Sequence, residues 1–312
     1  MVNPGIVHKL QEFPTYQGPF YLPGAHLQTI IPAFFRKIRL QQTASDELEL
    51  PDGDFIQFDH YQSGSKHLVI LCHGLEGNAR KPYMLGMTRA MLEAGFDVVA
   101  WNYRCCGGKL NRLERLYHSG ATDDLESVIS HFAGHYQTIR LVGFSLGGNL
   151  VLKYLGEKPE RSGLISGAIA ISAPIDLLSA SLKMAGRSNA VYSFYFLRSM
   201  KKKMRLKAMA LESMRRFNPD TISSIMEFDE HITAPLHGFA SARDYYRRCS
   251  ALESMDEIAT PSLVVNSRND PFLPKECLPS DRFKNHPFVN LITPAEGGHV
   301  GFYTGKKKSW TE

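Results

Sequence analysis

Apolar and polar residues alternate in the first part of the chain and then give way to continuous apolar runs. The segments KIRLQQT (37–43) and LELPDGDFIQFDHY (48–61) both alternate, and the second contains a Pro-Asp-Gly turn at 51–53. This pattern predicts antiparallel strands at the edge of a sheet. In contrast, HLVILC (67–72) is apolar throughout, which is typical of a strand buried on both faces.

After residue 73, helix-like and strand-like segments alternate along the chain. The predicted helices are PYMLGMTRAMLEAG (82–95), TDDLESVISHFAGHY (122–136) and SLGGNLVLKYLGE (145–157). The predicted strands are FDVVAWNY (96–103), TIRLVGF (138–144), ISGAIAISAP (165–174), PSLVVNS (261–267) and FVNLITP (288–294). Such alternation predicts an α/β fold, with a doubly wound, mostly parallel sheet and helices on both faces. Sites in such sheets lie beyond the carboxyl ends of the strands.

One long segment interrupts this alternation. Residues 176–250 lie between two predicted strands and contain no convincing strand, so we expect a helical insertion that covers the strand ends as a cap or lid. The chain as a whole, 1–312, is interpreted as one domain, because its length suffices for a single large core. Residues 1–37 form an N-terminal extension that we expect to pack near the site.

Composition adds little to this picture. The chain is 43% hydrophobic and 21% charged, which is ordinary for a globular protein. No stretch approaches 18 apolar residues, and the first 20 residues lack the pattern of a secretory signal, so we expect a cytoplasmic protein without a transmembrane helix. The cysteines are odd in number and lack metal-ligand spacing, which favours reduced thiols over a metal site; they are Cys72, Cys105, Cys106, Cys249 and Cys277.

The net charge of +5 comes from one segment. Residues 198–216 hold eight Lys or Arg and one Glu, so the rest of the chain is slightly acidic. This distribution argues against a general nucleic-acid-binding surface.

The basic segment also has a helical pattern, which predicts an amphipathic helix that continues to Asn218 with Lys201, Lys202, Lys203 and Arg205 on its solvated face. Two interpretations stay open. The helix is either a cap packed on the core or a Met-rich lid over 194–216 that lines an acyl pocket and transiently touches anionic lipid. The apolar positions at intervals of three or four are Phe194, Leu197, Met200, Met204, Ala208, Leu211 and Met214.

The sequence GFSLG (143–147) fits the G-x-S-x-G nucleophile elbow. In this motif the serine lies on a sharp turn from strand to helix, where Gly143 and Gly147 avoid collisions with neighbouring backbone. The helix that follows points its N-terminus at the serine oxygen. Because a predicted strand precedes the motif and a predicted helix follows it, we expect Ser145 to be a nucleophile.

A serine nucleophile requires a base and a group that orients the base. Asp270 follows the predicted strand PSLVVNS, and His299 follows the predicted strand FVNLITP. We therefore predict His299 as the general base and Asp270 as its orienting acid, with the glycines at 297 and 298 letting the histidine loop approach the serine. Asp281 and His286 are alternatives, but their polar surroundings without glycine are typical of surface residues.

A tetrahedral intermediate also requires two donors for its oxyanion. The backbone N–H of Leu146, directly after the serine, is one predicted donor. The second is the N–H of Leu75 in the loop HGLEG, where Gly74 provides the bend. We expect His73 to hold this loop by a hydrogen bond and to take no part in proton transfer.

Several stretches of the chain carry a family resemblance. They are HLQTI (26–30), CHGLEGNARKPYM (72–84), NYRCCGGKLNRLERLYHSGATDDL (102–125), VGFSLGGNLVLKYL (142–155), ISAPIDL (171–177), NDPFLP (269–274) and GGHVGF (297–302). In these the chain resembles the YheT-like branch of the α/β-hydrolases. The resemblance implies an α/β-hydrolase fold and a serine hydrolase with Ser145, Asp270 and His299 as its triad. One departure is that Cys105 stands where the family usually has glycine.

These observations predict a serine hydrolase that cleaves carboxylic esters, with short- to medium-chain acyl groups or lipid-like substrates, through an acyl-enzyme. A small-molecule ester is the expected partner, and no metal or organic cofactor is expected. Two alternatives stay open. An acyltransferase would use the same triad with an alcohol in place of water, and a non-catalytic binding protein would keep only the fold.

Overall fold

The computed structural model describes residues 15–305 and 309–312; residues 1–14, on which part of the predicted N-terminal extension falls, lie outside the described residues. Eight strands form one sheet in the order β1-β2-β4-β3-β5-β6-β7-β8. They are β1 (Ala44–Glu49), β2 (Phe55–Tyr61), β3 (His67–Cys72), β4 (Asp97–Asn102), β5 (Thr138–Phe144), β6 (Ile165–Ile171), β7 (Ser262–Val265) and β8 (Val289–Ile292).

The helices lie before and between these strands. They are α1 (Ala25–Phe35), α2 (Pro82–Glu93), α3 (Thr122–Ala133), α4 (Leu146–Glu157), α5 (Leu177–Met184), α6 (Ala190–Ala210), α7 (Ile225–Phe228), α8 (Ala234–Leu236), α9 (Ala242–Cys249) and α10 (Ser280–Phe283). A π-helical turn, Asp229–Thr233, joins α7 to α8. Short 3₁₀ helices occupy Pro159–Gly163, Arg187–Asn189, Glu212–Arg216, Pro219–Thr221, Ala251–Glu253, Met255–Glu257 and Lys275–Cys277. No helix among the described residues is long and apolar enough to cross a membrane.

The predicted fold class is confirmed. Strand β2 runs antiparallel to both of its neighbours, and the pairs from β4 to β8 are parallel. The continuous apolar run of β3 reflects burial on both faces. Leu68 and Ile70 belong to the cluster that includes α3 and α4, whereas Val69 and Leu71 belong to the cluster that includes α2.

The segment KIRLQQT does not form the predicted strand. Residues 36–43 precede β1, and within them Ile38 and Leu40 pack against the apolar cluster on the α2 side of the sheet. At the end of the segment, the Thr43 N–H donates to the His60 carbonyl at 2.8 Å. Alternating polarity arises here because one side of an extended segment is buried, and such burial does not require a strand partner.

Residues 172–261, all of them described, contain helices and no strand. The predicted amphipathic helix is shorter than expected, because α6 ends at Ala210 and Leu211 is extended. Phe194 is 67% exposed, although the periodicity placed it on the apolar face. Lys203 was expected in solvent, but its side chain is 13% exposed and contacts a carboxylate. Lys207 is also buried, and its ammonium donates to the Asn111 carbonyl at 2.9 Å.

A buried arginine connects the edge strands to the rest of the sheet. The Arg104 guanidinium, just after β4, donates to the Asp124 carboxylate of α3 at 2.7 and 2.9 Å and to Asp54 at 2.8 Å. Asp52, in the turn between β1 and β2, lies at 2.8 Å from the same guanidinium. The next residue, Cys105, has a φ of 64°, the left-handed conformation that favours the glycine usual in the family.

Replacing Arg104 by leucine should lower the stability of the fold. Asp54 would stay buried without a cation, and Asp124 would keep only Arg115, at 3.9 Å. We expect the free energy of unfolding to fall by about 3–5 kcal/mol, as measured by urea denaturation. Arg112→Leu is the matched control, since the Arg112 side chain is 49% exposed in its ion pair with Glu49. An equal loss in both variants would contradict the role of burial.

Candidate active site

Ser145 lies on the sharp turn between β5 and α4. Its backbone has φ 52° and ψ −120°, a conformation that non-glycine residues rarely adopt, and its N–H donates to the Ile171 carbonyl at 2.8 Å. A Cβ at Gly143 would collide with the Gly147 carbonyl, and a Cβ at Gly147 would collide with the Cys72 carbonyl of β3. The two glycines therefore permit the tight turn that presents the serine beyond the sheet.

The structure brings the three predicted side chains into one hydrogen-bonded line. The Ser145 hydroxyl lies 2.9 Å from His299 Nε2, and His299 Nδ1 lies 2.8 Å from Asp270 Oδ2. Asp270, after β7, is 1% exposed, and its other oxygen accepts the Phe272 N–H at 2.8 Å. This geometry suits transfer of the serine proton to the imidazole, with the carboxylate fixing the ring orientation.

Helix α1 holds the loops that carry the acid and the histidine. Thr29 Oγ1 accepts the His299 N–H at 2.9 Å. Gln28 Oε1 accepts both the Gly297 N–H at 3.0 Å and the Asn269 side-chain amide at 2.9 Å. Sequence reasoning used HLQTI (26–30) only as part of a resemblance and gave these residues no role. The available signal in the sequence was the presence of two polar residues, Gln28 and Thr29, in a mostly apolar helix.

The glycines before the histidine lie close to α1 and to Phe302. A Cβ at Gly298 would lie 2.8 Å from Thr29 Oγ1, and one at Gly297 would collide with the Phe302 ring. Their φ angles of 60° and 151° lie in the region that favours glycine. Gly298 thus lets the histidine loop pack against α1, next to the Thr29 hydroxyl that accepts the His299 N–H, and Gly297 leaves room for the Phe302 ring.

The two predicted oxyanion donors lie beside the serine. Leu146 is the first residue of α4, and Leu75 lies in the loop after β3; both line the same cavity as Ser145. Within the described chain, neither backbone N–H has a protein acceptor. A Cβ at Gly74 would lie 3.1 Å from Ser145 Cβ, so the loop approaches the serine closely. The arrangement leaves both N–H groups available to an oxygen bound at the serine.

His73 holds the Leu75 loop from beneath. Its Nδ1–H donates to the Gly74 carbonyl at 2.8 Å, and its Nε2 accepts the Tyr103 N–H at 3.2 Å. Burial lowers the pKa of His73 to about 3, so the ring is neutral and both nitrogens are occupied. The Tyr83 hydroxyl adds a further contact by accepting the Gly74 N–H at 3.0 Å.

The residue after Leu75 connects this loop to α6. Glu76 has a φ of 52°, and its carboxylate accepts hydrogen bonds from Lys203 at 2.8 Å, from Tyr117 at 2.6 Å and from Ser199. Ser199 and Lys203 belong to α6. Although burial raises the pKa of Glu76, the Lys203 ammonium and these hydrogen bonds outweigh it and hold the pKa below 4.5. No local sequence pattern identified this pair.

A cavity of about 620 Å³ opens over Ser145 and His299. Its wall is largely apolar and comes from α1, the loops after the strands, and the helices between β6 and β7. The apolar side chains include Ile30, Phe34, Leu116, Leu177, Met184, Val191, Tyr195, Phe196, Met200, Ile225, Phe228 and Phe272. Such a wall suits the hydrocarbon part of a small molecule.

The alternative acid and histidine lie elsewhere. Asp281 is exposed in α10, and half-buried His286 contacts the Asp256 carbonyl at 3.3 Å. Neither residue lines the cavity. Among the described residues, no group of three or more His, Cys, Asp or Glu side chains is arranged to hold a metal ion.

Comparison with known families agrees with the fold described above. The model of a family described as alpha/beta hydrolase fold matches residues 67–306. The chain belongs to the α/β-hydrolase family. The match covers the sheet from β3 onward together with Ser145, Asp270 and His299.

Individual relatives show which branch of the family this chain resembles. "Putative esterase YheT" of Escherichia coli is 36% identical over 291 residues, which cover 90% of this chain and 84% of that protein. Phospholipase ABHD3 of Mus musculus is 28% identical over 293 residues, covering 89% of this chain and 71% of that protein. The predicted resemblance to the YheT-like branch is therefore confirmed. The solved Pyrococcus furiosus esterase Pf2001 has a TM-score of 0.57 and 18% identity, with 83% and 84% of the two chains covered, which supports the fold alone.

Replacing Glu76 by glutamine should destabilise the protein in a pH-dependent way. Lys203 would lose its buried counter-ion, and we expect the free energy of unfolding near pH 7 to fall by about 3–5 kcal/mol. The folded-state pKa of Glu76 is lowered, so the carboxylate stabilises the fold above its unfolded pKa and this stabilisation is lost as pH falls.

The measurement is urea denaturation of both proteins between pH 7 and pH 3. The difference between native protein and Glu76→Gln should shrink below pH 4.5. Glu212→Gln, an exposed glutamate outside the cavity, is the control. A difference that stays constant with pH would contradict the ion pair.

Proposed function

We propose that this protein is a serine hydrolase that cleaves carboxylic esters. The observation that carries the proposal is the line of hydrogen bonds Ser145–His299–Asp270, with distances of 2.9 and 2.8 Å, at the floor of an apolar cavity. The two N–H groups of Leu75 and Leu146 lie beside it. The names of the relatives, an esterase and a phospholipase among them, support the same class of reaction.

In the proposed mechanism, Ser145 Oγ attacks the ester carbonyl as its proton passes to His299 Nε2. The N–H groups of Leu75 and Leu146 stabilise the oxyanion. Collapse of the intermediate breaks the ester bond, and the departing alcohol takes the proton from His299. Water then attacks the acyl-enzyme with His299 as base, which releases the acid and restores the serine. Asp270 accepts the Nδ1–H throughout and stabilises the imidazolium.

The cavity favours substrates with an apolar chain of limited length. Its volume of about 620 Å³ suits a short- to medium-chain acyl group or the ester of a small lipid. In an acyltransferase an alcohol would resolve the same acyl-enzyme, but no observation on the described site favours an alcohol over water. Hydrolysis is therefore the function that we propose.

We further propose that the entrance to the cavity contacts lipid surfaces. Some of its side chains are both exposed and cavity-lining, and α1 meets α6 there through the edge contact of the Phe34 and Tyr195 rings at 6.2 Å. Neither helix contains an acidic residue, and Lys37, Arg198 and Lys202 are exposed. The exposed large apolar side chains of α1 and of the first turns of α6 are Leu27, Phe34, Phe35, Val191, Phe194 and Tyr195.

This surface differs from the one expected over 194–216. Met200, Met204 and Lys207 are buried, so these three side chains of α6 take no part in the proposed contact. The start of α6, together with α1, has the combination of exposed apolar and basic side chains that binds an anionic interface.

The nucleophile is tested by replacing Ser145 with alanine. We expect kcat for p-nitrophenyl butyrate to fall by about 10⁴-fold or more, because no other group in the site can form the acyl-enzyme. Labelling by a fluorophosphonate probe should disappear as well. Ser193→Ala is the matched control, since its hydroxyl donates to the Met184 carbonyl at 2.7 Å outside the triad. Undiminished labelling of Ser145→Ala would exclude the proposed nucleophile.

Lipid contact is tested with the double variant Phe34→Ser, Phe194→Ser. We expect sedimentation with vesicles of phosphatidylcholine and phosphatidylglycerol to fall at least about fivefold, because two exposed rings no longer enter the interface. Met209→Ser is the control, since Met209 is 78% exposed at the other end of α6. Equal binding by native protein and double variant would reject this surface.

A further inference from the structure

One buried carboxylate in the cavity wall has no part in the proposed mechanism. Asp229, at the start of the π-helical turn, is 7% exposed and lines the cavity together with Thr233, Tyr246 and Ser181. Its Oδ1 accepts the Thr233 hydroxyl at 2.7 Å, and its Oδ2 accepts the Tyr246 hydroxyl at 2.7 Å. Tyr246 in turn accepts the Ser181 hydroxyl at 3.0 Å. The four residues form a polar cluster within a largely apolar wall.

Asp229 differs from several other buried carboxylates of the described chain, because they contact a cation and it does not. Asp54 and Asp124 contact the Arg104 guanidinium, and Glu76 contacts the Lys203 ammonium. Within the described chain, no Lys, Arg or His nitrogen lies within 4.0 Å of Asp229, and its two hydrogen bonds come from neutral hydroxyls. Burial accordingly raises the pKa of this carboxyl to about 6.

A buried negative charge without a cation is unfavourable, and a bound donor would stabilise it. Each carboxylate oxygen can accept more than the single hydrogen bond it has here. The backbone is also unusual, because π-helical turns are rare and occur frequently at functional sites. The carboxylate, its position on the cavity wall and the local backbone all suit a ligand contact.

We infer that Asp229, Thr233 and Tyr246 form a polar subsite that binds a hydrogen-bond donor on the substrate. The donor is a hydroxyl or a primary ammonium group that an apolar spacer separates from the ester cleaved at Ser145. Apolar side chains in the same wall, among them Leu177 and Phe228, would contact the spacer. This inference rests on the proposed function and specifies its substrate class: esters with a second, donor-bearing end.

The test compares matched esters with and without the donor. One series consists of p-nitrophenyl esters of acids with 4 to 12 carbons, each as the unsubstituted, ω-hydroxy and ω-amino compound. A second series places the same groups on the alcohol side of octanoate esters. For native protein we expect kcat/KM of at least one donor-bearing ester to exceed that of its unsubstituted match by about 10-fold or more.

Asp229→Asn removes the charge and keeps the size of the side chain. We expect the preference for the ω-amino ester over its match to fall at least about fivefold, because an amide attracts an ammonium group less than a carboxylate does. The ratio within one variant cancels any change in folding or basal rate. If Asp229→Asn does not fold, Asp229→Ser serves the same purpose. The control is Asp281→Asn, because Asp281 is an exposed carboxylate outside the cavity.

Two results would overturn the subsite. One is equal kcat/KM for donor-bearing and unsubstituted esters in both series; the other is an ω-amino preference that Asp229→Asn and Asp229→Ser leave intact. Failure of the proposed function would look different, since native protein would then hydrolyse none of the esters, substituted or not, and the fluorophosphonate probe would not react.

Discussion

The close approach of β5, α4 and β3 around Ser145 is the constraint on which the rest of the site depends. Side-chain atoms at Gly143 or Gly147 would occupy the space of neighbouring carbonyl oxygens, so these positions must be glycine for the turn to form. The turn holds Ser145 at φ 52°, a conformation whose cost the surrounding fold must offset. Because the sheet fixes this turn, it also fixes the positions of the Ser145 hydroxyl and the Leu146 N–H relative to each other.

Other elements of the fold hold the histidine loop and the Leu75 loop close to Ser145. Helix α1 fixes the histidine loop through Thr29 and Gln28, and His73 fixes the Leu75 loop from below. Helix α6 contributes as well, since its Lys203 holds Glu76 next to Leu75. The segment between β6 and β7 thus contacts one of the proposed oxyanion loops directly, in addition to forming part of the cavity wall.

Local patterns predicted much of the fold and the three central residues. The parallel strands and their helices have strong periodicity, and Ser145, Asp270 and His299 each follow a strand, where such sheets collect functional groups. The role of Gln28 and Thr29 was missed because the residues they contact lie more than 200 positions away. Periodicity also failed for α6, where it placed Phe194 inside and Lys203 outside, since burial there depends on which neighbours the helix meets.

The central claim is that turnover passes through an acyl group on Ser145. Rapid mixing of native protein with excess p-nitrophenyl butyrate tests this claim, when combined with mass spectrometry of acid-quenched samples. We predict an initial burst of p-nitrophenolate that approaches one equivalent per chain where deacylation is slower than acylation. In the acid-quenched samples, mass spectrometry should detect a butyryl group on the peptide that contains Ser145. Hydrolysis that proceeds with the butyryl group on a different residue would contradict the account.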